Sequence, residues 1–291
     1  MEQTEQLHPR YRFASGYGAD TMERAGLDGL AREIFGFDFS RWCELGYWRG
    51  QYIPYTLLEG ERAVANVSAS PMELEIFGRR VRWLQLGTVM TAPDCRGQGL
   101  CRLLLERVLA EWEDRCGAVY LFANDSVLDF YPRFGFARME QAVSFRLGGG
   151  AAEPARKLDL DSAADRRLLF EAAEASRPRA AVSLLGSAEL VLFYAVNFYR
   201  DCVYWLERYG AAFLLDWEEG ELLDVFCPGE VPLETLLQAA LPARPKGWRL
   251  GFTPKGWTPE YPLAGDTLFV RGPEAALLAG RAFRFPELSH T

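Results

Sequence analysis

The run Leu86-Gly-Thr-Val-Met-Thr-Ala-Pro-Asp-Cys-Arg-Gly-Gln-Gly-Leu100, continued directly by Cys-Arg-Leu-Leu-Leu-Glu-Arg-Val-Leu109, constrains the fold more than any other part of the chain. It reads as a short strand, a tight Gly-containing turn and an amphipathic helix. Leu100, Leu103, Leu104, Val108, Leu109 and Trp112 recur with a 3.6-residue period, and Arg102, Glu106, Arg107, Glu113 and Asp114 fill the opposite face. Such a turn presents a helix N-terminus. The first amides of a helix have no carbonyl one turn back and together carry about half a positive charge, so an anion there is held by backbone alone. Gly97 and Gly99 permit close approach and turn dihedrals that other residues resist.

Spacing narrows the kind of loop. A dinucleotide fingerprint needs Gly where Arg102 stands, and a Walker-type loop needs Gly-Lys-Ser/Thr, yet no Lys lies near. The pattern V-x-T-x-P-x-x-R-G-x-G-L, from Val89 to Leu100, with the leucine-rich helix behind it, resembles the acetyl-CoA-binding motif of the GNAT acyltransferase superfamily. A second segment extends the resemblance. Ala118–Ala123 reads as a buried strand, Asn124-Asp-Ser126 as the cap of a short helix over Val127–Tyr131 stopped by Pro132, and Phe134-Gly-Phe136 as a turn into a strand from Met139 to Leu147.

The resemblance implies roles. Backbone amides of roughly Gln98, Gly99, Leu100, Cys101 and Arg102 would hold the pyrophosphate of acetyl-CoA, with Arg96 adding charge beside Gly97. The strand through Val89, Met90 and Thr91 would pair with the pantetheine arm, and the N–H of Val89 or Met90 would polarise the thioester carbonyl. Tyr131 would be the general acid for the leaving thiolate; Asn124 would bond the pantetheine or simply cap its helix. Two positions depart from the family pattern: Asp94, expected to point outward, and Cys101, small enough to be tolerated. For the general base the strand offers Gln85 where relatives carry Glu, leaving Glu44, Glu73, Glu75 or a water chain. The tail Phe283-Arg-Phe-Pro-Glu-Leu-Ser-His-Thr291 is a further candidate, docked in the cleft to bring His290 or the terminal carboxylate there.

Upstream, Met22–Phe35 reads as a helix and Ser40 as the cap of a second through Leu45. The aromatics Trp42, Tyr47, Trp48, Tyr52 and Tyr55 are core or acceptor-pocket residues. Tyr52–Glu59, Arg62–Ile76 and Val81–Val89 form a meander. Beyond the linker Gly148–Pro154, helices over Asp161–Glu174 and Leu184–Val196 precede strands Cys202–Arg208, Ala211–Asp216 and Glu221–Phe226, a helix Pro232–Leu241, and strands Trp248–Phe252 and Thr267–Val270. This order parallels the first half, yet its loop, Val225-Phe-Cys-Pro-Gly-Glu-Val-Pro232, has one Gly and an acidic Glu230, so no CoA is expected there.

The expected fold is therefore α+β: a mixed, mostly antiparallel sheet flanked by helices, with a second GNAT-like or plain α+β domain. The expected division is a catalytic domain over 1–147, a linker over 148–156 and an accessory domain over 157–291. A net charge of −8 argues against nucleic acid as partner and suits, weakly, a cationic amine. No apolar run reaches membrane-helix length, and the N-terminus has no signal-peptide pattern, so a cytoplasmic location without membrane partner is expected. The six cysteines form no C-x-x-C pair, and the two histidines, His8 and His290, lie at opposite ends, so no metal is expected. The resulting expectation is an N-acetyltransferase moving acetyl from acetyl-CoA to an amine of a small molecule or peptide. Its alternatives are a tandem-GNAT acyl- or aminoacyltransferase and a CoA-binding regulatory protein without turnover. The oligomeric state is open, a dimer included.

Overall fold

The structure, a computed structural model, describes residues 10–148 and 155–289; His8, His290 and most of the expected linker lie outside them. The first half runs β1 (Arg12–Ser15), α1 (Met22–Phe35), α2 (Ser40–Glu44), β2 (Ile53–Glu59), β3 (Arg62–Ile76), β4 (Arg79–Thr91), α3 (Leu100–Trp112) and β5 (Ala118–Ala123). β1 to β4 are antiparallel neighbours: Gly60 and the Phe77-Gly78 pair, all with positive φ, close the β2–β3 and β3–β4 hairpins, while α1 and α2 span the connection from β1 to β2. α3 then carries the chain over the sheet, burying Leu100, Leu104, Leu105, Val108, Leu109 and Trp112, and β5 returns parallel to β4. α1 and α2 are tied by the buried Asp28, whose carboxylate accepts from the Phe39 amide at 3.0 Å and the Ser40 hydroxyl at 3.2 Å. Ser40 is thus the first residue of α2 rather than its cap.

The strand expected over Met139–Leu147 is broken into β6 (Ala137–Met139), β7 (Ala142–Val143) and β8 (Phe145–Arg146). Other chain segments claim its backbone: the Ala142 amide donates to Phe283 O, and Gln141 takes the Phe285 amide on its side-chain oxygen. The short helix before it is instead two 3-10 turns, Asp125–Val127 and Tyr131–Phe134. Pro132 opens the second turn, where its missing N–H costs nothing, rather than stopping the first.

The second half contains β9 (Arg156–Lys157), α4 (Ala163–Glu174), β10 (Val182–Leu185), α5 (Ala188–Asn197), β11 (Val203–Leu206), β12 (Ala211–Asp216), β13 (Glu221–Phe226), α6 (Leu233–Ala240), β14 (Trp248–Leu250), β15 (Tyr261–Pro262) and β16 (Thr267–Arg271). The helix expected from Leu184 starts only at Ala188, since Gly186 at φ 57° turns the chain after β10. The layout repeats that of the first half: an antiparallel β11–β12–β13 meander, then α6, then β14 parallel to β13.

The two sheets exchange strands. β8 pairs with β14 at the edge of the second sheet, and β16 inserts between β5 and β6 in the first. β10 adds to the far end of β3. α5, apolar but for Glu189 and Asn197, is buried on both sides: Leu190 and Phe193 enter the first core, Val191, Leu192 and Ala195 the second. The tail also crosses. Phe283, Phe285 and Leu288 are buried, and Phe285 lies against Tyr120, its ring centre 4.7 Å away, and near Trp83. Burying such a ring contributes about 2–3 kcal/mol. Arg284, itself buried, lies 2.6 Å from Glu221 and 2.5 Å from Glu287. Among the described residues no helix is long and apolar enough to cross a membrane, and no cluster of metal-ligating side chains occurs.

Candidate functional site

The site forms where two strands part. β4 and β5 pair only at Trp83–Ala118, Leu84–Val119 and Gln85–Tyr120; beyond Gln85 the two strands have no shared ladder. On its other edge, β4 has one residue too many for β3. Asn66 faces Met90 and Ser68 faces Gly87, so Thr88 and Val89 together oppose Val67 in a bulge. Thr88 adopts φ 39°, a conformation that costs a branched residue about 1–2 kcal/mol.

A buried polar chain holds that strain. Asn66 donates through Nδ2 to Thr88 O at 3.0 Å and to Ser68 Oγ at 2.9 Å, and Thr88 Oγ1 donates to Ser68 Oγ at 2.9 Å. Asn66 Oδ1 accepts from Thr56 Oγ1 at 2.8 Å, Thr56 is bonded to the Tyr17 hydroxyl at 2.7 Å, and Tyr52 bonds Thr88 Oγ1. Asn66, Thr56 and Ser68 are fully buried, so each unmet polar atom would be costly, and the network has one low-energy arrangement. These residues were not singled out from the sequence. The signal was there: Asn66, Ser68 and Ser70 alternate with apolar residues, a polar row on one face of an otherwise buried strand.

After β4, Pro93–Cys95 makes a 3-10 turn, and Gly97 and Gly99 take φ 75° and 77° to aim α3 at the opening. A Cβ at either glycine would meet nothing within 4 Å. No side chain caps α3, so its first amides remain available. Asp94 is turned away and held in a two-point fork by Arg62 at 2.7 and 2.8 Å. That partner pulls its carboxyl down to about 2.

A cavity of about 950 Å³ occupies the opening. Val89, Met90, Thr91, Arg96, Gly97, Cys101, Asn124 and Tyr131 line it, so these expected residues converge on one space. Gln98, Gly99, Leu100 and Arg102 belong to the same turn but not to the wall. The Gln98 side chain accepts from Tyr11 at 2.8 Å, Leu100 is in the core, and Arg102 bonds Glu106 at 2.8 Å. Asn124 caps the following turn by accepting from the Ser126 amide at 3.0 Å. Tyr131 is buried against Phe130, Phe136 and Phe269, the last on the exchanged strand β16. Burial raises its phenol above the usual range. Burial also pushes the Cys101 thiol up to about 12, which leaves almost no thiolate for covalent chemistry.

The remaining candidates fall elsewhere. Glu44 and Glu73 are exposed, beside Arg41 and Arg82, and Glu75 pairs with Lys255 at 2.5 Å; none lines the cavity. Gln85 does line it, 1% exposed, with its Oε1 unpaired. The expected aromatic cluster is core: Trp42, Trp48 and Tyr52 pack on Phe39, while the rings that line the cavity include Phe37, Phe122 and, unforeseen, Phe193, Tyr194, Phe198 and Tyr199 of the second half. The tail reaches the neck of the opening, where Tyr120 donates to Ser289 O at 3.3 Å.

A bulged strand diverging from a parallel neighbour, with a glycine turn and helix N-terminus beyond, is the framework of an acyltransferase-like fold. Solved structures agree on the fold. A probable N-acyltransferase from Enterococcus faecalis V583 superposes with a TM-score of 0.58 at 12% identity, covering 93% of this chain and 74% of its own. A GCN5-related N-acetyltransferase from Kribbella flavida gives 0.55 at 16% identity, covering 94% and 73%, and Eis1 from Mycobacterium abscessus 0.55 at 17%, covering 90% and 73%. No curated protein matches in sequence. The family model described as Acetyltransferase (GNAT) domain matches residues 48–139. Residues 48–139 are therefore similar to a GNAT acetyltransferase domain, and the fold of the chain as a whole is that of the GNAT structures it superposes on.

Proposed function

We propose that this chain is a cytoplasmic acetyl-CoA-dependent N-acetyltransferase that acts on an amine of a small molecule or peptide in a ternary complex. The observation that supports it best is a single cavity bounded by the Thr88 bulge on one side and Tyr131 on the other, with the Gly97–Gly99 turn at its end. In this reading residues 1–147 bind the donor, and the accessory half beyond 148–156 also lends β10 and β16 to the donor half's sheet. The amides at the start of α3 hold the pyrophosphate, and Arg96 adds charge at the exposed edge. The unpaired edge of β4 receives the pantetheine arm, and an amide at Val89 or Met90 polarises the thioester carbonyl. The bulge fixes that amide before the reaction begins, which is where such donors gain their effect. The amine nitrogen attacks the carbonyl carbon, the C–S bond breaks, and the thiolate takes the Tyr131 proton; the product nitrogen gives up its proton to solvent, and solvent returns one to the Tyr131 phenolate. Burial that keeps Cys101 as its thiol supports direct transfer in preference to an acyl-enzyme on this residue.

Calorimetry with CoA and an assay of thiol release with an amine panel test this. CoA should bind, acetyl-CoA should turn over, and Tyr131→Phe should lower kcat about 100-fold without changing CoA affinity. No CoA binding would overturn the reading. Binding without turnover on any amine, indifferent to Tyr131→Phe, would favour a regulatory CoA-binding protein.

A further inference from the structure

The outer part of the cavity is walled by rings that the second half supplies. Phe193, on α5, and Phe198, just after it, lie edge-on to Phe37, with centroids 5.7 and 5.4 Å away. Phe193 and Phe198 are 5.7 Å from each other. At the neck, where β4 and β5 part, Gln85 has an amide oxygen with no partner although the residue is 1% exposed. Its cross-strand neighbour Ser70 also has a buried hydroxyl without a partner. Buried amides are rarely left so, and a ligand that offers an N–H there would relieve the deficit. Among the described lining residues Asp266, at the exposed rim, is the one carboxylate.

We propose that the acceptor is a monoamine on an aromatic or alkyl body, its nitrogen donating to Gln85 Oε1 and its body seated on Phe37, Phe193 and Phe198. The proposal rests on the N-acetyltransferase reading and names its substrate class. Ring faces attract an ammonium on approach and bury the hydrocarbon attached to it. Once inside, desolvation lowers the ammonium's pKa, and a neutral Gln85, unlike a carboxylate, does not raise it again. The nitrogen therefore reaches its nucleophilic form more easily at the thioester. A polyamine or aminoglycoside would bring several further ammonium groups against rings, with Asp266 alone to meet them, and unpaired buried charge is strongly disfavoured. The second half thus contributes the acceptor's wall, which gives it a function without a cofactor of its own.

The test compares 2-phenylethylamine, spermidine and kanamycin with the full chain and acetyl-CoA, and repeats the first with octanoyl-CoA. The kcat/KM for 2-phenylethylamine should exceed that for spermidine about 100-fold. Gln85→Leu should raise its KM about 10-fold, with CoA affinity unchanged. Phe198→Glu, at a side chain 47% exposed and so tolerant of change, should lower kcat/KM for 2-phenylethylamine about 10-fold and narrow the gap to spermidine. Thermal unfolding of both variants verifies that they fold. Preference for spermidine or kanamycin would overturn the proposal, as would CoA binding with no turnover of the monoamine. Preference for octanoyl-CoA would also overturn it, because the rings would then hold an acyl chain. Failure to bind CoA at all would instead bring down the enzymatic reading beneath it.

Discussion

Two loops occupy equivalent places in the two halves, each leaving a meander strand for a helix, and they have opposite polarity. Between β4 and α3 the chain uses Gly97 and Gly99 at positive φ, no side chain caps the helix, and Gly97 and Cys101 line the cavity. Between β13 and α6 the carbonyls converge instead. Arg179 donates to Cys227 O at 2.8 Å, to Gly229 O at 2.6 Å and to Val231 O at 3.4 Å, and Arg177 donates to Pro228 O at 3.0 Å. Glu230 pairs with Arg177 at 3.1 Å, and Glu234, in the first turn of α6, pairs with Arg146. One loop leaves its helix without a side-chain cap; the other is already filled by cations of the chain itself. Shared topology therefore does not carry shared chemistry. The direction in which a few peptide groups point decides it.

The largest effect should come from putting a carboxylate in each loop. Gly97→Glu places like charge at the anion position and should weaken CoA binding about 100-fold, about 3 kcal/mol, while strain in the αL turn, about 1–2 kcal/mol, falls on stability instead. Gly229→Glu, in the carbonyl-lined loop, should leave CoA affinity unchanged. Calorimetry on both variants would break the contrast if they behaved alike.

Next is the arginine exchange. Arg179→Met removes a guanidinium that satisfies three loop carbonyls and should cost about 3 kcal/mol of stability in urea unfolding, with CoA affinity intact. Arg96→Met should do the reverse: little change in unfolding, because the side chain is exposed and makes one long bond to Thr91 O at 3.4 Å, but weaker CoA binding by several-fold. If Arg179→Met also weakened CoA, the two halves would be coupled more tightly than their loops indicate.

The contrast also shows what was legible in the sequence. The glycine turn, α3 and the strand Arg62–Ile76 were readable because each rests on local pattern, and Glu230 marked the second loop as unfit for phosphate. Arg177 and Arg179 were not readable as its occupants, since they lie some 50 residues before the carbonyls they bond. The strand exchange was hidden for the same reason. The five residues of β16 announce a strand, but nothing local says that it belongs between β5 and β6, or that the two residues of β8 belong beside β14. The bulge was hidden differently: Thr88 reaches positive φ without being Gly because its partners on β3 and Tyr52 hold it there. The second half's aromatic wall was legible as an apolar helix and no more, because a helix buried on both sides gives no amphipathic direction.

The bulge has no counterpart at a strained residue in the second sheet, where the register shift on β12 and β13 falls at Leu214–Leu215 and neither residue has positive φ. This difference is open to test through Asn66. Asn66→Ala removes the donor to Thr88 O and leaves that carbonyl and Thr56 Oγ1 buried without it, a loss of about 1–3 kcal/mol in stability. If the bulge positions an oxyanion donor, kcat should fall about 10- to 100-fold while CoA affinity changes little, because the pyrophosphate is held elsewhere. A structural role alone would lower the melting temperature and leave kcat of the folded fraction as it was.

The smallest effect is one of pH. An exposed tyrosine ionises near pH ~10 and would end its service as an acid there. Burial among Phe130, Phe136 and Phe269 raises the Tyr131 phenol, so the protonated form persists to higher pH than that. The rate should therefore show no loss assignable to Tyr131 up to about pH 10. Phe269→Ala, which opens the packing that β16 provides, should bring the basic limb of kcat down toward the ordinary phenol range, because readmitted water lowers the cost of the phenolate. A basic limb well below pH ~10 that vanishes in Tyr131→Phe would show instead that the phenol is stabilised as its anion, and the exchanged strand would then have no part in keeping it an acid.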